Sequence, residues 1–421
     1  LEGKLKILFD RFIIVSLLFW ISFFPEPLQI KYGLWTKIIL ISITLFSLIK
    51  NRHNLFCSKK HLPLLILLAL FLPSIFSAQN KLVAAETYSD IAVPLFSLYV
   101  LSEALFREEK NLFVLAKTIC LFSVIVALWG ILDILLGKNI LYEYLMKNQY
   151  YCRYVAGTSL RRPISTQFNP VALGSYLLAS LPFNFLLFKQ NKGLFNLLGL
   201  LGMVLNTIIV ILTFSRGVFL GLIALISFYL FNQKKYRLMG LFFIILFLSI
   251  FICTRLPYPF NRLGIDWLGT KNRGILSSYR FDRCIMTKRI IKEHPLVGLG
   301  FQHFRIKFYE YYPARDIVPY EVMIADNMYL TILAETGLIG FSGFLIFMLS
   351  FLRKFWQQLG ILRDNAYRRE QLLLILSAFV ALLVNMGAYE LFYWPNQYMF
   401  FCILIGSIGS FYKDRKIANN G

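Results

Sequence analysis

Charge is scarce in this 421-residue chain: charged residues make up 16% of it, against 58% apolar and 17% aromatic. A soluble globule carries about a quarter of its residues as charges to cover its surface, so that class is excluded. Cysteine is rare as well. The six cysteines form no CxxC pair and no Cys/His cluster, which points to neither a metal site nor a redox dithiol. Only Cys152 and Cys284, both in loops assigned below to one side, leave a disulfide open. A small-residue cleavage site is missing after the first apolar stretch, where Phe24-Pro25-Glu26-Pro27 stands instead, so no separate cleavable signal is expected.

Long apolar runs are abundant instead. About twelve stretches, near 8–25, 34–50, 62–78, 85–105, 112–137, 170–188, 194–213, 216–231, 237–253, 327–351, 371–391 and 395–412, approach or exceed what a helix needs to cross roughly 30 Å of hydrocarbon. Most are apolar all round rather than alternating, which favours helices over barrel strands. The expected fold class is therefore all-α, a polytopic membrane protein of about 12 transmembrane helices.

The net charge of +22 follows this topology and does not call for a nucleic-acid partner. Lys4 and Lys6, Lys50 to Lys60, Arg107 and Lys110, Lys189 and Lys192, Lys234 to Arg237, Arg353 to Arg369 and Lys413 to Lys416 all fall in alternate connections. The positive-inside rule places these connections and both termini in the cytoplasm. Two long connections, about 138–169 and 254–326, then lie outside. The expected organisation is spans one to nine over 1–253, an outer loop with an amphipathic helix over 254–326, and spans ten to twelve over 327–421.

Arg216, in "ILTFSRGVFLGLIAL", sits at the outer turn between two spans. Two readings are open: the guanidinium snorkels to lipid phosphate, or it is held against protein and meets an anion. Gly217 and Gly221 form a GxxxG step that lets another helix approach, which favours the second. In the outer loop, "SSYRFDRCIMTKRIIKEHPLVGLG" predicts an amphipathic helix from near Ser278 to before Pro295, with Phe281, Cys284, Ile285 and Ile291 on one face and Arg280 and Arg283 on a neighbouring one. Such a helix either lies on the membrane surface or turns Arg280 inward to join Arg216. Gly298 and Gly300 allow a tight turn or a close backbone approach.

Asp326 is placed to cap the following helix, on which Asn327, Thr331 and Glu335 form one stripe. Glu335 lies more than two turns into an apolar segment, either a functional group or the structural partner of an arginine. Upstream, Arg161 and Arg162 precede an Asn169-Pro170 helix start. All these elements are expected on one outer face.

The order "QFNP…LGSYL", "FSRGVFLGL", "YRFDRC…IIKEHPLVGLGFQHF" and "ADNMYLTILAETGLIG", over about residues 155 to 345, resembles the O-antigen ligase and O-antigen polymerase superfamily of bacterial membrane glycosyltransferases. The resemblance implies a GT-C-like fold in the inner membrane and a glycan donor carried on undecaprenyl diphosphate. It also implies transfer at the periplasmic face, to a glycan or lipid A core acceptor, without a metal ion or other cofactor. The family's diphosphate-binding arginines match Arg216 and Arg280. Asp326 stands where the ligases carry a histidine, which leans the assignment towards a polymerase and makes Asp326 the candidate acceptor-side catalytic residue. His303 is the nearest histidine that could stand in, although a surface position is expected for it. Arg161, Arg162, Asn169, Arg283, His303, Asn327, Tyr329 and Glu335 complete the candidate substrate-binding set. The alternative of another class is a secondary transporter of twelve spans. Transporters usually show internal repeats, whereas the basic loop and the carboxylate-bearing helix here occur only in the second half.

Overall fold

The computed structural model describes residues 2–25, 28, 32–51, 61–106, 108–146, 161–190, 193–255, 275–312 and 323–411. The described residues are overwhelmingly helical, with no β-strand among them. Among the described residues, the helices up to Leu212 are α1 (Glu2–Phe23), α2 (Gly33–Asn51), α3 (Leu62–Phe71), α4 (Pro73–Ser77), α5 (Lys81–Leu105), α6 (Glu109–Leu136), α7 (Ile140–Met146), α8 (Pro170–Gln190) and α9 (Leu194–Leu212). They are followed by α10 (Arg216–Asn232), α11 (Tyr236–Arg255), α12 (Ile275–Glu293), α13 (His303–Ile306), α14 (Phe308–Tyr311), α15 (Met328–Ile361), α16 (Ala366–Met386) and α17 (Pro395–Gly409).

Each apolar stretch falls on a helix, with two adjustments. The third is interrupted at Leu72-Pro73, where proline removes a backbone donor and starts α4. The eleventh ends at Met386, because Gly387 to Tyr393 turn back towards α17. Among the described residues, five helices, α6, α8, α9, α15 and α16, are long and apolar enough to cross a membrane, and four apolar helical stretches are shorter. This is the pattern of a multi-pass membrane protein.

Helix α8 runs antiparallel to α9 and α16 and parallel to α10, and polar groups gather at two ends. At one end Glu370 of α16 accepts from Lys189 of α8 at 2.5 Å and from the Tyr229 hydroxyl of α10 at 2.8 Å. At the other, Gln167 accepts from Asn396 at 3.0 Å and Gln397 at 2.8 Å and donates to the Ser22 carbonyl at 3.1 Å, tying α17 and α1 to the segment before α8. With lipid rather than water outside, close packing must hold the helices together. The Gly217–Gly221 step supplies it: a side chain at Gly217 would meet Ala388 and Asn385, and one at Gly221 would meet Leu178 and the Ala381 carbonyl.

The helix α15 is broken at Gly337, whose φ of 63° and ψ of −168° are non-helical. A break there frees backbone groups that hydrocarbon cannot satisfy. The "HPLVGLG" segment satisfies them. Leu299 and Gly300 N–H donate to the Ala334 and Glu335 carbonyls at 3.0 and 2.8 Å, while the Pro295 and Leu296 carbonyls accept from Leu338 and Ile339 at 2.8 and 3.0 Å. The two glycine-containing segments are thus one unit, and Gly298, at φ 68°, lies against the Glu335 carbonyl with no room for a side chain.

A second, smaller core joins Met286 and Ile290 of α12 to Leu299, Phe304, Phe308, Tyr311 and Ala334. The buried face of α12 is Arg283, Met286, Thr287 and Ile290, whereas Cys284 is exposed. This corrects the expected face: the helix packs on protein, and the side on α15 is set by Met286 and Ile290. Cys152 lies outside the described residues.

Candidate functional site

Most of the candidate residues lie at the polar end that carries Gln167, Asn396 and the start of α15. Arg216 opens α10 after a turn in which Phe214 adopts φ 46°. It is half-buried. Arg162 reaches the same turn, its Nε donating to the Thr213 carbonyl at 2.6 Å. Asn169 caps α8, its side-chain oxygen accepting from Val171 at 2.8 Å and Ala172 at 3.2 Å, with Pro170 at the first helical position as expected. Arg161 lies against Gly137 at the end of α6.

The start of α15 differs from expectation by one residue. Asn327 is the cap, accepting from Tyr329 at 3.0 Å and Leu330 at 3.2 Å. Asp326 is held at φ 59°, from which its carboxylate turns to Arg283 and forms an ion pair at 3.2 Å. The Arg283 guanidinium also donates to the Ile324 carbonyl at 3.2 Å and is almost wholly buried. Of the two loop-helix arginines, Arg283 therefore turns inward. Arg280 is on the same helix, but its side chain lies outside the described residues.

The Asn327–Thr331–Glu335 stripe engages the connection between α16 and α17. Asn327 donates to the Gly387 carbonyl at 3.0 Å, Thr331 donates to Glu390 at 2.6 Å, and Glu335 accepts from the Tyr393 hydroxyl and from Phe304 N–H. Tyr329 donates to the Leu383 carbonyl at 2.7 Å. Glu335 thus bonds a hydroxyl and a backbone amide of the protein itself. Glu390, buried, also accepts from Ala325 N–H at 2.9 Å and so braces the residue before Asp326. Burial, and next the charge of Asp326, push its carboxyl up to about 7, against the hydrogen bonds from Thr331 and Ala325 and the charge of Arg305.

His303 is fully buried, not on the surface as expected. Its Nδ1 faces the Phe301 carbonyl at 2.8 Å and its Nε2 accepts from Asn80 N–H at 2.9 Å, so both ring nitrogens are occupied by backbone. An open depression of about 630 Å³ beside it is lined by Gln79, Asn80, Lys81, Leu82 and Ile306 and includes none of the candidate arginines.

Two acidic residues of this end were not among the sequence candidates. Glu390 braces the Ala325–Asp326 turn, and Asp133, buried in the last turn of α6, accepts from Asn139, Ile164 and Ser165. Each interrupts an apolar run, which is the same signal that flags Glu335.

The arrangement sets cationic groups, Arg162 and Arg216, on one turn and an arginine-held carboxylate, Asp326, at the head of α15. The turn at Gly387–Ala388 links them: Gly217 packs on Ala388, and Asn327 bonds Gly387. Donors of fixed geometry suit an anionic oxygen cluster, and a carboxylate suits a hydroxyl. No curated protein matches the chain at a significant level. Residues 201–345, which include Arg216, α12, the "HPLVGLG" segment, Asp326 and Gly337, match the family model described as O-antigen ligase, a match that supports the O-antigen ligase and O-antigen polymerase superfamily for this chain.

Proposed function

We propose that the chain is an inverting, metal-independent glycosyltransferase of about twelve spans with a GT-C-like fold. It moves a glycan from undecaprenyl diphosphate to a sugar acceptor at the periplasmic face of the bacterial inner membrane, with both termini cytoplasmic. The observation that carries this reading is the match over residues 201–345, which spans the Arg216 turn and the Asp326 helix start together. Spans one to nine, the outer loop 254–326 and spans ten to twelve form the working division of the chain.

In this reading the acceptor hydroxyl attacks the anomeric carbon, the bond from that carbon to the diphosphate oxygen breaks, and the diphosphate departs with the bonding electrons. Negative charge grows on the leaving group, and fixed arginine donors lower its energy without reorganising. Arg216 and Arg280 take that role, with Arg161 and Arg162 beside the Arg216 turn. Asp326 accepts the hydrogen bond of the attacking hydroxyl and receives its proton as the new bond forms. The ion pair with Arg283 fixes the direction of this carboxylate.

The substitution of Asp326 for the histidine of the ligases favours a polymerase, which joins repeat units to one another. Transfer to lipid A core is the second reading. Purified protein in proteoliposomes, given undecaprenyl-diphosphate-linked repeat units alone, elongates them if it is a polymerase. If product forms only when lipid A core is added, the ligase reading holds. If neither acceptor yields product, the transferase reading fails.

A further inference from the structure

Asp133 is a carboxylate in a costly position. It is 1% exposed and sits in the last turn of α6, where the carbonyl end of the helix dipole repels negative charge. Its oxygens are nonetheless fully engaged. Asn139 donates to both at 2.9 and 3.1 Å, Ser165 N–H donates at 2.6 Å and Ile164 N–H at 3.2 Å. The same Asn139 amide donates to the Ser165 carbonyl at 2.9 Å, and its oxygen accepts from Tyr142 N–H at 2.7 Å. Ser165 is held at φ 49°, a left-handed conformation that a serine adopts only when its surroundings impose it, and its hydroxyl donates to the Val126 carbonyl at 2.7 Å.

The restrained segment is the one that carries two arginines. Arg161 lies over Gly137, the left-handed cap of α6, where any side chain would displace its guanidinium. Arg162, two residues before Ile164, donates to Thr213 in the turn that leads to Arg216. We propose that Asp133, working through Asn139 and the Ile164–Ser165 amides, is a positioning residue that presents the Arg161–Arg162 pair to the Arg216 turn, where the pair extends the seat for a lipid diphosphate. This rests on the diphosphate reading of Arg216 given above and adds two further arginines and the device that sets them.

The test uses the full-length purified protein and free undecaprenyl diphosphate as the probe, with dissociation constants and thermal midpoints measured in parallel. Asp133→Asn is expected to weaken binding about tenfold, the scale of one charge-assisted hydrogen bond. Arg162→Ala weakens it as much or more. Because Asp133 acts through the arginines, Asp133→Asn adds little to Arg162→Ala in the double variant. If Asp133→Asn does not fold, Asn139→Ala leaves the carboxylate in place, removes the bridge to Ser165 and is expected to show the same non-additive loss. Wild-type affinity in folded Asp133→Asn or Asn139→Ala, or full additivity with Arg162→Ala, overturns the proposal while leaving the diphosphate reading intact. A wild-type protein that does not bind undecaprenyl diphosphate overturns both.

Discussion

Arg283 of the loop helix and Asp326 at the head of α15 form an ion pair at 3.2 Å, in which the arginine is nearly buried and the aspartate keeps 22% of its side chain exposed. The pair joins two segments 43 residues apart in the chain and holds Asp326 in a left-handed conformation. Arg283→Ala removes the charge that Asp326 faces and the donor to Ile324. The expected destabilisation is about 2 kcal/mol, below the range for a fully buried pair because water still reaches Asp326. Asp326→Asn introduced into Arg283→Ala should recover part of that loss. Thermal unfolding of both variants in detergent checks it, and equal midpoints for Arg283→Ala and wild type would show the pair to be energetically silent.

Asp326→Asn on its own separates a structural role from a chemical one. Capping of α15 belongs to Asn327, so the variant keeps its helix start. Turnover is expected to fall by about a hundredfold, the usual range for lost general-base assistance. Binding of undecaprenyl diphosphate should be retained. A variant that transfers glycan at the wild-type rate would remove Asp326 from the chemistry.

Glu390 makes stability depend on pH in a defined direction. Its carboxyl is raised from the ordinary 4.5 to about 7. Between these values the folded chain holds a proton that the unfolded chain has released, so this contribution to stability falls as pH rises from about 4.5 through about 7. Glu390→Gln keeps the shape and removes the titration, and its thermal midpoint should therefore change less over that window than that of wild type. Parallel curves would show that Glu390 is ionised throughout.

Gly298→Ala tests the joint between the loop and the broken helix. Alanine at φ 68° is strained, and its methyl group would press on the backbone at Glu335 and Thr336. A loss of about 3 kcal/mol is expected from strain plus overpacking. Gly240→Ala is the control, because nothing lies within 4 Å of that position. Equal unfolding midpoints for the two variants would mean that the four-bond exchange around Gly337 contributes little.

The features legible in the sequence were those whose physics is local. Apolar length marked the helices, Asn169-Pro170 marked a helix start, and Gly217 and Gly221 marked a close helix contact, because each depends on residues within a turn or two. The misplacements came where a distant partner decides. Asp326 and Asn327 are both good caps, and the choice between them is made by Arg283 pulling Asp326 aside. The buried face of α12 is set by α15 and α14, which no periodicity within α12 specifies, and its charged residues blur the stripe further. His303 is buried by Asn80, 223 residues away in sequence. Asp133 and Glu390 escape a reading of the sequence because a single carboxylate beside a loop looks solvated until the loop folds over it.

Transfer kinetics of Arg216→Lys, with release of undecaprenyl diphosphate followed during glycan transfer by purified protein in proteoliposomes, test the proposed chemistry most directly. Lysine keeps the charge and the helix but cannot engage a diphosphate through two parallel hydrogen bonds. The rate is expected to fall about a hundredfold, equivalent to roughly 3 kcal/mol of lost transition-state stabilisation, and Arg280→Lys should fall similarly. Release by both lysine variants at the wild-type rate, with folding unchanged, would contradict the assignment of these arginines to the departing diphosphate.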